Sequence, residues 1–227
     1  MRSKQSGFTL VEIAIVLVII GLLLGGVLKG QELINSAKVK NMIGDFRTTS
    51  TFVYAYQDRF RALPGDDGGA VAHVGATAAA TTHTTGAATG ATGDGRINGA
   101  WNTLVNTEES YRFWEQVRLA GLASGTPIVP AAPAAGDSYN PRNADGGRMG
   151  ITGDTPIPGW TGTFFVCSAG ISGRLARQID TTMDDGDTST GTVRVVGTAA
   201  GGEVASGAAY PVLAANDSVL YTVCVQY

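Results

Sequence analysis

Three places in the 227-residue chain combine side-chain type and spacing in a way that could support chemistry. Asp184-Asp185-Gly186-Asp187 puts three carboxylates within four residues, with Ser189 and several Thr close behind. Hard oxygen donors on a turn suit Ca²⁺, which takes 6–8 of them. Neither acidic stretch completes an EF-hand. Counting from Asp94, Gly99 fits the invariant glycine, but Arg96 falls on a ligand position and Val105 stands where the bidentate Glu belongs. Counting from Asp185 puts Val196 at that last place. Asp-Asp-Gly is also an ordinary turn and helix-stop sequence, so a solvated turn is the preferred reading. Asp184, Asp185 and Asp187 are the candidate ligands if a cation binds. The second place is Glu12, the one charge in the apolar run 8–28. The third is the pair Cys167 and Cys224.

The sequence argues against most enzyme classes with a readable signature. The Lys residues are Lys4, Lys29, Lys38 and Lys40, and none follows a Gly-rich turn as a phosphate-binding loop requires. Two His (His73, His83) are too few for a His-based metal cage, two Cys cannot make a zinc-thiolate site, and Gly-x-Ser-x-Gly does not occur. No nucleophile–base pair is legible, so no catalytic residue is assigned. The net charge of −3 argues against a nucleic-acid surface that works by phosphate neutralisation.

The elements that position these residues differ between the two ends. Residues 8–28 are long enough to cross a bilayer as a helix, since about 20 residues span about 30 Å. Arg2 and Lys4 flank that run on one side only, which directs this end toward the cytoplasm. A cleavable secretory signal would be shorter and followed by a small-residue site; here the small residue, Gly7, precedes the run. A retained membrane segment is expected. Beyond it, Leu33, Ala37, Met42, Phe46, Val53, Tyr56, Phe60 and Leu63 recur at helical steps, which predicts an amphipathic continuation over 29–63 ended by Pro64-Gly65. Residues 75–93 hold only Gly, Ala and Thr apart from His83, and read as a low-complexity surface loop. A short helix is expected over 107–119, closed by Gly121, and another over 172–183. Strands are expected over 163–167, 192–196 and 219–225, with an irregular segment over 123–162. The expected fold class is α+β: a long helix packed on a small antiparallel sheet, with one globular head at 64–227. Both Cys lie on expected strands on the exported side, where oxidation is the rule. A Cys167–Cys224 disulfide is expected, with two buried thiols as the alternative.

At Lys4-Gln5-Ser6-Gly7-Phe8-Thr9-Leu10-Val11-Glu12, followed by the apolar run 13–24, the chain resembles the type IV prepilin and pseudopilin superfamily. The resemblance implies that residues 1–7 are a leader, that prepilin peptidase cuts between Gly7 and Phe8, and that the same enzyme N-methylates Phe8. Glu12 falls on the family's Glu at the fifth mature position, implied to pair with the α-amino group of Phe8 on a neighbouring copy. The alternative for Glu12 is an interfacial site favoured by the helix dipole. Unlike many pilins, the apolar half carries no Pro; Gly21, Gly25, Gly26 and Gly30 are its weak points. Tyr56-x-x-x-Phe60-x-x-Leu63-Pro64-Gly65-Asp66, Gly93-Asp94-Gly95-Arg96-Ile97 with Glu108 and Phe113-Trp114, and Val117-x-Leu119-Ala120-Gly121-Leu122 resemble blocks of an accessory pilin-like subgroup. The implied function is a structural, non-enzymatic subunit of a type IV pilus or type II secretion pseudopilus. Its implied partners are the peptidase, other pilins and an inner-membrane assembly platform. It would sit in the bacterial inner membrane before assembly and in a filament afterwards. The alternative is a minor or tip subunit acting as a binding module for a surface, DNA or an exported protein. Some pseudopilins resembling this chain hold Ca²⁺ in a C-terminal loop, which adds to the case for Asp184, Asp185 and Asp187.

Overall fold

A computed structural model describes residues 9–76, 92–197 and 203–227. Helix α1 runs from Leu10 to Phe60 without a break, as expected for a stretch rich in Leu, Ile, Val and Ala with no Pro before position 64. The chain divides into two compact units, Met1–Lys38 and Val39–Tyr227.

In the first unit the helix is apolar all round over 13–28, and its side chains there are exposed. Burial starts later than the sequence pattern suggests: Leu33 is 61% exposed and Ala37 is also exposed. From Val39 onward one stripe turns inward, made of Val39, Met42, Ile43, Phe46, Thr49, Ser50, Val53 and Tyr56. These positions follow the helical period, so a single face packs on the core. The helix stops at Phe60, ahead of Pro64-Gly65. Arg61 takes φ 59° while its N–H still reaches the Gln57 carbonyl, so the chain leaves the helix through a left-handed residue.

The second unit also holds α2 (Ala70–Val74), α3 (Glu109–Leu119), β1 (Met149–Thr152), β2 (Phe165–Ser172), α4 (Gly173–Met183), β3 (Val193–Val196) and β4 (Leu220–Gln226). The strands form one antiparallel sheet in the order β1-β2-β4-β3. Alternation along the strands serves two layers. Val166, Ile171, Val193, Val195, Val223 and Val225 face the larger core, with α1, α3 and α4 residues packed there. Phe165, Cys167, Ala169, Val196 and Cys224 face a smaller one capped by Trp101, Ile157 and Trp160.

Strand β1 corrects the expectation of an irregular 123–162 segment. Met149-Gly150-Ile151-Thr152 is buried at all four positions, so it carries no alternation to read. A Cβ on Gly150 would lie 1.9 Å from the Trp101 carbonyl oxygen; only glycine lets these backbones approach so closely. Helix α3 starts at Glu109, two residues later than expected, and ends in a Schellman motif. Leu122 N–H donates to the Val117 carbonyl at 2.9 Å and Gly121 N–H to that of Arg118 at 3.0 Å, with Gly121 at φ 74°. The sequence also gave no sign of the five-residue α2. Most of the low-complexity stretch 75–93 lies outside the described residues.

Candidate functional site

Gly7 and Phe8 lie outside the described residues. The first described turn shows what Thr9 and Glu12 do locally. The Thr9 N–H and hydroxyl donate to Glu12 Oε2 at 2.8 and 2.7 Å, and the Glu12 N–H donates to Thr9 Oγ1 at 3.3 Å. This reciprocal capping box satisfies first-turn amides that no intrahelical carbonyl can reach. Within one copy, the exposed Glu12 carboxylate therefore caps its own helix. The helix it opens is long and apolar enough to cross a membrane, and its most apolar window buries nothing inside the fold.

Cys167 and Cys224 stand directly opposite each other on β2 and β4 and are joined by a disulfide. Both are fully buried in the smaller core. The bond links the two central strands of the sheet.

The acidic turn follows α4. One carboxylate oxygen from each of Asp180, Asp184 and Asp185 gathers within 4.8 Å of the others. Asp184 Oδ2 accepts the N–H groups of Thr192 and Val193. Asp185 accepts the Asp187 N–H and the Thr190 hydroxyl at 2.9 and 2.7 Å. These donors hold the Asp185 carboxyl below its ordinary range. Asp187 turns away, accepting both the N–H and the hydroxyl of Ser189, and is likewise lowered. The structure thus brings together Asp184 and Asp185 of the expected trio and puts Asp180 in place of Asp187. Asp180 is fully buried. Burial, reinforced by the charges of Asp185, Asp184 and Asp187, pushes its carboxyl up to about 7, and the Gly186 amide offsets only part of this. Sequence reasoning passed over Asp180, although its spacing of four from Asp184 at a helix end was a usable signal.

The blocks at 56–66 and 93–97 meet around buried carboxylates. Asp66 accepts the N–H groups of Gly93, Asp94 and Gly95. Glu109 Oε2 accepts the Asn98 N–H at 2.8 Å. Burial, which the Asn98 amide partly offsets and the charges of Asp66 and Asp94 reinforce, pushes Glu109 up to about 8. Asp67 accepts the Tyr56 hydroxyl at 2.6 Å and contacts His73 Nδ1 at 2.8 Å. These contacts tie the end of α1 to α2, the 93–98 loop and α3, which is a structural role.

Residues 2–28 match the family described as Prokaryotic N-terminal methylation motif. The match, the long apolar α1 and the α+β head with its four-stranded antiparallel sheet support the type IV pilin and pseudopilin family. The motif points to prepilin processing, membrane anchoring and a structural role. No curated protein and no solved structure matches the chain.

Proposed function

We propose that this protein is a filament subunit of a type IV pilus or type II secretion pseudopilus, assembled through its N-terminal helix. The observation that carries this reading is the methylation motif at 2–28 running straight into an apolar helix whose side chains find no partner within the fold. Such a surface is stable only in lipid or against other apolar helices. Cleavage between Gly7 and Phe8 removes Arg2 and Lys4, taking the net charge from −3 to −5 and the cytoplasmic anchor with it. The helix is then free to leave the bilayer for a bundle of its own kind, built at the inner-membrane platform. Glu12 in hydrocarbon costs about 2.5–3.5 kcal/mol unless paired. The N-methylated amino group of Phe8 on an adjacent subunit is its proposed partner, drawing the carboxylate away from Thr9. The globular unit from Val39 would form the filament surface, and no catalytic step is invoked.

The test is co-expression with a prepilin peptidase, followed by intact mass and N-terminal sequencing of protein from sheared filaments. The expected chain begins at Phe8 and carries one added methyl group. Filament protein retaining Met1 overturns the reading. Abundance in the sheared fraction separates a major subunit from a minor, tip-located one.

A further inference from the structure

We propose that a cavity between α1, α3 and the 123–142 segment binds a small zwitterion, an α-amino acid with an apolar side chain. The cavity has a volume of about 350 Å³, at the lower end of the roughly 300–1,000 Å³ that small-molecule sites occupy. Asp45, Thr48, Thr49 and Phe52 line it from one face of α1, Trp114 and Arg118 from α3, and Arg142 from the irregular segment. Its charges single it out. One carboxylate, Asp45, and two guanidiniums, Arg118 and Arg142, line the same space without pairing. Asp45 is half-buried, and its carboxylate takes no hydrogen bond or ion pair among the described residues. Burial raises that carboxyl above its ordinary range, whereas an adjacent guanidinium would lower it. Arg118 is buried and donates to the carbonyls of Ser124, Thr126 and Tyr139. Arg142 donates to those of Ala135, Asp137 and Gly146. These acceptors are all neutral, so neither positive charge meets a counter-ion in them. A charge taken out of water without a partner costs free energy, yet the cavity leaves both signs uncompensated.

A ligand that carries both signs compensates both. Its ammonium supplies the donors that Asp45 lacks. Its carboxylate supplies the counter-charge for the guanidiniums, each of which has five N–H groups and gives three of them to carbonyls. Hydrogen bonds between such charged groups are roughly twice as strong as neutral ones. Trp114 adds a spare donor: its side chain is buried, and its indole N–H has no hydrogen-bond partner among the described residues. A simple anion would leave Asp45 facing a like charge, and a simple amine would add a further cation to the two already there. The rest of the lining selects the side chain. Phe52, Pro141 and Met149 offer apolar surface, which suits an aliphatic or aromatic group. The cavity lies wholly within the unit from Val39, so it is independent of the polymerisation mechanism and stands or falls separately from it.

The experiment titrates the full chain in detergent calorimetrically with L-phenylalanine and with L-leucine. 3-Phenylpropionate, which lacks the ammonium, and phenethylamine, which lacks the carboxylate, are titrated alongside. Phenylalanine or leucine is expected to saturate one site per chain, with an affinity at least about 10-fold above that of either single-charge analogue. Asp45→Asn removes a carboxylate that has no partner in the fold, so the variant should unfold as wild type does. It should weaken phenylalanine by about 10-fold and leave phenylpropionate no weaker, so that the two bind alike. Arg142→Gln should do the converse, weakening phenylalanine and phenylpropionate but not phenethylamine. Asp58→Asn, on an exposed α1 side chain outside the cavity, should change nothing. No saturable heat from either amino acid at millimolar concentration overturns the proposal. A single-charge analogue that binds as tightly as phenylalanine also overturns it, as does undiminished phenylalanine binding in Asp45→Asn or Arg142→Gln.

Discussion

Removing the Cys167–Cys224 bond should cost this fold about 4 kcal/mol, mostly through the unfolded chain. The two residues are 57 apart in sequence, and closing a loop of that length in the denatured ensemble corresponds to about 4 kcal/mol at 25 °C. In the folded state they already face each other across the paired strands β2 and β4, so the reduced protein can keep the same sheet. The perturbation is unfolding in reductant, then refolding under reductant, compared with the oxidised protein in urea and heat. For a unit of this size the expected drop in Tm is about 8–16 °C. Refolding should slow, because the reduced chain must find the β2–β4 pairing without a tether. The double variant Cys167→Ala/Cys224→Ala should lose somewhat more, since it also leaves space beside Trp160 and Phe165 in the smaller core. A reduced protein within about 1 kcal/mol of the oxidised one would refute the loop-closure reasoning.

Phe46 is fully buried in the larger core, so Phe46→Ala should destabilise by about 3–5 kcal/mol in urea titration; a loss below about 1 kcal/mol would show that the α1 stripe does not anchor the head. Gly150→Ala drives a methyl onto the Trp101 carbonyl and should lower Tm sharply, whereas Gly21→Ala, with open space around it, should leave the unfolding of the head unchanged. Glu109 is an acid whose folded pKa lies above its unfolded one, so its contribution to stability is present below about 4.5 and is lost as pH rises to about 8. The gap between wild type and Glu109→Gln should therefore shift in favour of the variant across that window, by about 5 kcal/mol, and a pH-independent gap would contradict it. Glu12→Ala should leave the unfolding of the globular unit unchanged and cut filament yield in a peptidase-expressing host; wild-type yield would return Glu12 to a simple helix cap.

The legible parts were those with a period or a local stop. The 8–28 run, the stripe from Met42 to Tyr56, the α3 and α4 patterns and three β-branched strands all announce themselves within a few residues. Leu33 and Ala37 misled because the helical period continues through them while burial begins only at Val39, and only tertiary structure sets where a stripe begins to be covered. Strand β1 was invisible because a strand buried on both faces does not alternate, and Gly150 lowers its propensity. Its reason for existing, the close approach of the Trp101 backbone, lies about fifty residues away. Of the candidate site residues, Asp184 and Asp185 were found as a turn. Asp180 was missed because one Asp in a helix reads as solvated surface until the packing of α4 buries it.

Helix α3 shows most plainly why a chain with 15% charged residues still buries several of them. Its pattern reads as an amphipathic surface helix, yet every residue from Glu109 to Arg118 is buried. The described residues on either side of it, 61–76, 92–108 and 120–148, form almost no sheet, so their backbone N–H and C=O groups have almost no ladder to join. The polar side chains of α3 take up that role. Gln116 accepts the Gly65 N–H at 2.6 Å, and Glu109 accepts that of Asn98. Arg118 donates to the carbonyls of Ser124, Thr126 and Tyr139 at 3.1, 3.1 and 2.6 Å. Its guanidinium also lies over the rings of Tyr139 and Trp114. A fork of five donors can hold three carbonyls from two stretches of irregular backbone at once, which no apolar side chain can do. The head is therefore built around a helix whose charges replace missing secondary structure, and substituting Leu for Arg118 should loosen 124–139 even though it makes the core more apolar.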